Sequence, residues 1–101
     1  MWLVVMFDLP VGTKTERHRA TRYRQRLLDE GLTMKQFSVY QRYYPTRSQA
    51  EAAAERLGKF APKFGQVTMI FITDKQFGMI RNYSGKDEVG PDEKPSQLAL
   101  F

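Results

Sequence analysis

The sequence predicts a small α+β sandwich, one sheet with helices on one face, and three observations carry that prediction. The chain opens on seven apolar residues, Met1 to Phe7, which suit a buried central strand. Two stretches of helical character alternate with strand-like stretches. At 101 residues there is room for one core, and for one domain.

The elements follow in order. Trp2 to Phe7 is unbroken and rich in valine and aromatic residues. "DLPVGTK" is a connection, punctuated by Pro10 and Gly12. Thr13 or Thr15 can cap the next helix, which runs to about Asp29 with Gly31 as its terminator. Ala20, Tyr23 and Leu27 form its narrow apolar stripe, with Leu28 beside them. "LTMKQFSVYQRYY" is strand material, one kinked strand or a tight hairpin; it holds no Gly, Pro or Asn to place a turn, and Pro45 ends it. Strand alternation puts Phe37, Val39, Gln41 and Tyr43 on one face, expected to be core. Ser38, Tyr40, Arg42 and Tyr44 share the other, expected to be a dimer surface or a platform for bases.

"SQAEAAAERLGK" reads as a second helix, with Ser48 and Glu51 at capping-box spacing. "GQVTMIFITD" is a third strand region, and "KQFGMIRNY" fits either a helical turn or a strand. Residues 1–83 thus form the domain. Residues 84–101 form a flexible arm ending in the apolar "QLALF", expected to pair with a sheet edge of a second copy. If residues 32–44 are two strands, the order is βαββαβ, the ferredoxin-like arrangement, with the tail as an additional strand. That fold names no function.

Composition narrows the function classes. There is no cysteine, which removes disulfides and thiolate metal sites. The longest apolar run is far too short to span a membrane, and it is not expected to be a signal peptide. The net charge of +5 is concentrated at one end: residues 1–47 carry nine Lys or Arg against four Asp or Glu. Segregated positive charge favours a polyanion, nucleic acid before a membrane surface.

Lys14, Arg17, Arg19, Arg22, Arg24 and Arg26 fall within thirteen residues of the first helix, with Glu16 alone opposing them. Arginine suits phosphate because its planar fork makes two parallel bonds. Arg42 and Arg47 add to the total, and the pattern suits backbone holding that does not read sequence. His18, inside this run, reads as a surface residue because nothing nearby would orient it as a base.

Asp8 closes the first strand and has two readings. It can bond its own backbone in an Asx turn, or it can serve a hard cation such as Mg²⁺. The remaining carboxylates form no obvious cluster with it, whereas two-metal cleavage of phosphodiesters uses several. A symmetric dimer would supply a second copy of Asp8 around one shared ion.

"VVMFDLP", the basic helix, "GLTMKQFSVYQR" and "VTMIFITDKQF" together resemble the CRISPR-associated protein 2 family, in the variant found in type II systems. The resemblance spans roughly residues 2–80, with the arm and the "LALF" tail also similar. It implies a ferredoxin-like homodimer in a prokaryotic cytoplasm, the C-terminal strand of each chain added to the partner's sheet. It implies that Asp8 faces its copy across the dimer and holds Mg²⁺, or Mn²⁺, for endonuclease cleavage of single-stranded RNA or double-stranded DNA. Phe7, Arg17, Ser38 and Tyr40 then lie near the site and shape it. It also implies a role in spacer acquisition, bridging two dimers of an integrase subunit on a short DNA duplex, for which cleavage is dispensable. A non-catalytic clamp is therefore the alternative to a nuclease.

Overall fold

A computed structural model describes residues 1–92 of the chain. Strand β1 (Trp2–Asp8) leads into helix α1 (Lys14–Asp29), a hairpin of β2 (Thr33–Gln36) and β3 (Val39–Tyr43), helix α2 (Arg47–Lys59) and strand β4 (Gln66–Ile72). A short helix α3 (Asp74–Gly78) and a second hairpin, β5 (Asn82–Ser84) with β6 (Asp87–Val89), follow. The main sheet is antiparallel in the order β2-β3-β1-β4, so the first strand lies inside it. This is the βαββαβ arrangement, with residues 32–44 forming two strands rather than one.

Alternation along β1 explains the layers. Leu3, Val5 and Phe7 face the two long helices, joined by Tyr40 and Tyr44 from the β3 end. Ala20, Tyr23 and Leu27 of α1, and Ala50, Ala53 and Leu57 of α2, complete this core. Tyr23 donates its hydroxyl to the Leu57 carbonyl at 3.2 Å, tying the two helices together. Trp2 points to the other face, stacks on Phe77 of α3 at 3.8 Å, and meets Tyr43 edge-on. Among the described residues, that second cluster covers one end of the open sheet face.

Most boundaries follow local chemistry. Thr13 caps α1 in a reciprocal box with Glu16, and Gly31 takes a φ of +92° just past the helix end. The cap of α2 differs from expectation. Thr46, not Ser48, is extended and accepts from the Gln49 amide at 3.2 Å, so Ser48 lies inside the helix. Glu51 pairs with Arg47 at 2.8 Å instead of reaching back to a cap.

Two further expectations change. The faces of β3 are reversed: Tyr40 and Tyr44 are core on the helix side, while Val39, Gln41 and Tyr43 lie on the open face. Alternation groups these residues correctly but does not say which group meets the helices, and the turn at Phe37–Ser38 takes both residues out of the strand, leaving Phe37 90% exposed. The arm expected from residue 84 contains a hairpin, closed through Gly85 at a φ of +65°. Beyond it, Asp92 accepts from Lys35 and Gln41, each at 2.9 Å, pinning the chain at the β2–β3 end of the sheet. The "QLALF" tail and its expected strand pairing lie outside the described residues.

Candidate nucleic-acid interface

Asp8 ends β1 on the open side of the sheet, opposite Gln66 of β4, and its side chain is exposed. Two loops hold its backbone. The Phe7 amide donates to the Ser38 carbonyl at 3.0 Å, docking the β2–β3 turn beside it. Ser38 holds this position at a φ of +62°, in the left-handed region. On the other side, the α2–β4 loop crosses at Gly65, whose φ is +97°. A Cβ at Gly65 would sit 2.7 Å from the Asp8 carbonyl oxygen and 2.9 Å from Leu9 Cδ2, so the crossing needs a glycine. The sequence shows Gly65 only as a residue preceding a strand.

The Asp8 carboxylate itself makes no hydrogen bond or ion pair among the described residues. The Asx-turn reading therefore gains no support. Its oxygens are available to a hard cation, but no group of three His, Cys, Asp or Glu gathers anywhere among the described residues. The described chain thus offers Asp8 without a cluster of three such ligands, fewer than a hard cation takes from an all-protein site. Phe7 and Tyr40 lie on the helix side of the sheet, stacked 5.8 Å apart, with Tyr23 meeting Phe7 edge-on. They support the strand that carries Asp8 from beneath.

The basic helix presents its charge in two flanks around the buried stripe. Lys14, Arg17 and Arg24 lie on one side of Ala20, Tyr23 and Leu27; Arg19, Arg22 and Arg26 lie on the other. All six are exposed. None is ion-paired among the described residues. Glu16 is engaged by the cap, and Asp29 accepts from Gln25 at 2.9 Å, so neither neighbouring acid is spent on them. Arg17 donates to the carbonyls of Val11 and Gly12, at 3.2 and 3.4 Å, and braces the loop that follows Asp8. His18 is exposed, as expected of a surface residue.

Arg42 is placed differently. It donates to the Glu30 carbonyl at the end of α1, and its guanidinium covers the ring of Tyr44 at 4.6 Å. It caps the helix and packs, and it stands apart from the α1 cations. Arg26 lies 3.4 Å above the ring of Phe60, just past α2, a contact that sequence reasoning did not single out. No helix of the described residues is long and apolar enough to cross a membrane.

Comparison with known proteins finds relatives in sequence and in fold. The family model described as CRISPR associated protein Cas2 matches residues 1–80. A relative from Parvibaculum lavamentivorans, named CRISPR-associated endoribonuclease Cas2, is 44% identical over the whole of both chains. One of the same name from Flavobacterium psychrophilum is 43% identical over all of this chain and 88% of its own. The crystal structure of Streptococcus pyogenes Cas2 at pH 6.5 shares the fold, with a TM-score of 0.63 at 18% identity, over 83% of this chain and all of the other.

Proposed function

The chain belongs to the CRISPR-associated Cas2 family, and from that premise we propose that it is a dimeric nucleic-acid-binding subunit of spacer acquisition with endonuclease capacity centred on Asp8. The observation that carries the binding half is the set of six exposed cations on α1 with no ion-pair partner among the described residues. Unneutralised arginines around one helix hold phosphates, release counterions and give strongly salt-dependent affinity.

The catalytic half rests on Asp8 and its copy. The open sheet face beside Asp8 leaves Ile70 38% exposed, with Met6 partly covered, and a second chain on that face brings two carboxylates together. A Mg²⁺ or Mn²⁺ ion held there would activate water and stabilise charge on the scissile phosphate. Asp8 would hold the ion, Ser38 and Gly65 fix the strand end, and α1 would position the nucleic-acid backbone. The relatives' name, endoribonuclease, says RNA of them; the substrate proposed here is single-stranded RNA or duplex DNA.

One observation favours the second reading, a clamp that bridges integrase dimers on duplex DNA without cutting it: among the described residues no group of three or more His, Cys, Asp or Glu gathers around Asp8. A paired assay decides. Wild type and Asp8→Ala are compared for cleavage of single-stranded RNA and duplex DNA with Mg²⁺ or Mn²⁺, and for duplex affinity at low and high salt. Cleavage by wild type alone, with equal binding by both, makes Asp8 catalytic. No cleavage by either, with steep salt dependence in both, leaves the clamp.

A further inference from the structure

Asp92 is bound on the open face of the sheet. Lys35 of β2 donates to one of its carboxylate oxygens and Gln41 of β3 to the other, each at 2.9 Å. The Lys35 and Asp92 side chains are 22% and 31% exposed, so this clasp is shielded from solvent as the Arg47–Glu51 and Arg81–Glu88 pairs are not. The arm that delivers Asp92 is itself braced. Arg81 forks onto Glu88 of the β5–β6 hairpin at 2.6 and 3.0 Å, and the Gly90 carbonyl accepts from Asn82 at 3.5 Å. Pro91 alone separates Gly90 from Asp92, and its ring limits the backbone there. The arm therefore runs from α3, packed by Phe77 on Trp2, to a fixed end on β2 and β3.

The open face divides along its strands. On β3, Val39 and Gln41 are half-buried and Tyr43 is buried. On β4, Gln66, Thr68 and Ile70 are exposed. Within one rung, Gln41 and Ile70 flank the buried Val4. Asp8 ends β1 beside Gln66, on the exposed side. We infer that the clasp of Asp92 on Lys35 and Gln41 positions a second copy of this chain: it holds the arm on the β2–β3 half of the face and leaves the β1–β4 half, with Asp8, to the partner. The inference rests on the dimer proposed above and adds the residues that set its register. A two-fold interface is self-complementary, but two open sheet faces can slide past one another and still satisfy the symmetry. An arm fixed on one half of each face blocks displacement of the partner toward β2 and β3. Asp92 is a positioning residue, acting on Asp8 through the placement of the partner.

The chain has no cysteine, so a single thiol introduced by Asp8→Cys reports the register directly. A disulfide forms only where the two Cα atoms come within about 7 Å. The test oxidises the full-length Asp8→Cys chain mildly and follows the rate of disulfide-linked dimer, with sedimentation of wild type as the measure of dimer as such. Adding Asp92→Ala, or Lys35→Ala, should slow the linkage by about tenfold or more. Exchanging the charges, Lys35→Asp with Asp92→Lys, should restore the rate to within about threefold, because Gln41 can turn its amide to accept. A merely structural role for Asp92 would not give that rescue. An unchanged rate with Asp92→Ala, or a loss that the exchange does not restore, overturns the clasp and leaves the dimer standing. A wild-type dimer in which Asp8→Cys never links places the two carboxylates apart and overturns the shared site together with the clasp. Wild type that sediments as a monomer overturns the proposed dimer, and the clasp with it.

Discussion

α1 and α2 pack on the same face of the same sheet and bury matching sets of three residues, yet they treat charge in opposite ways. α1 carries six cations against two acids, and none of the cations is ion-paired among the described residues. α2 carries three cations against two acids; Arg47 pairs with Glu51 inside the helix, and Arg56 reaches Glu30 at the end of α1. Paired charges on a solvated helix serve solubility and add little to stability. Six mutually repelling cations cost stability, and the proposed phosphate-holding role gives them a use. On that proposal α2 is the scaffold, and α1 is the working surface built on it.

The residue where the two halves meet should give the largest effect. Gly65→Ala places a Cβ 2.7 Å from the Asp8 carbonyl at a φ of +97°. The expected cost is about 2–4 kcal/mol of unfolding free energy, from backbone strain and overpacking together. Urea denaturation measures it, and a loss under about 1 kcal/mol would mean the crossing loop yields freely. Next comes charge. Arg22→Ala with Arg24→Ala should weaken duplex binding by about tenfold or more and lower the salt slope by about two. Arg47→Ala with Arg56→Ala should leave both within about twofold, because those cations already have partners. Equal losses in the two pairs would erase the distinction between the helices.

Sequence reasoning reached one side of this comparison further than the other. The cap at Thr13, the buried stripe at Ala20, Tyr23 and Leu27, and the stop at Gly31 are all local, set by residues within a turn or two. The scarcity of acids near the α1 cations is equally visible in the string. What failed was tertiary in origin. Alternation correctly grouped Tyr40 with Tyr44 and Val39 with Tyr43, but it cannot say which group meets the helices. The turn at Phe37–Ser38 carries no Gly, Pro or Asn, and Ser38 takes a left-handed φ of +62° while its carbonyl accepts from the Phe7 amide. Arg42, expected to hold phosphate, also donates to the Glu30 carbonyl, a tertiary contact that the string does not show. Asp8 was legible as the end of a core strand. That its carboxylate has no partner within the described chain was not.

The contact that joins the helices predicts a smaller, pH-dependent effect. Tyr23 of α1 is 2% exposed, and burial pushes its hydroxyl up to about 12 from an ordinary value of 10.0. The unfolded chain therefore releases this proton at lower pH than the folded one. Stability from the neutral, buried phenol is fully present below the unfolded value and is lost as pH rises through the folded one. Tyr23→Phe removes the bond to Leu57, at a cost of about 1 kcal/mol at neutral pH, and flattens the alkaline limb of the stability curve. An alkaline limb unchanged by the substitution would assign that loss to another group.

The smallest effect should come from improving the scaffold alone. Gly58 sits in the last turn of α2, its φ is ordinary, and a Cβ there meets nothing within 4 Å. Gly58→Ala removes backbone freedom from the unfolded chain and adds no strain to the folded one, so it should stabilise by about 0.5–1 kcal/mol. The gain should appear in the urea midpoint and leave duplex affinity and its salt slope untouched. Gly65→Ala is the opposite case, since the same added methyl strains the backbone of Asp8. A scaffold helix can take the methyl where the loop beneath the working carboxylate cannot. If Gly58→Ala instead changed nucleic-acid affinity, α2 would belong to the binding surface, and the division of labour between the two helices would have to be drawn elsewhere.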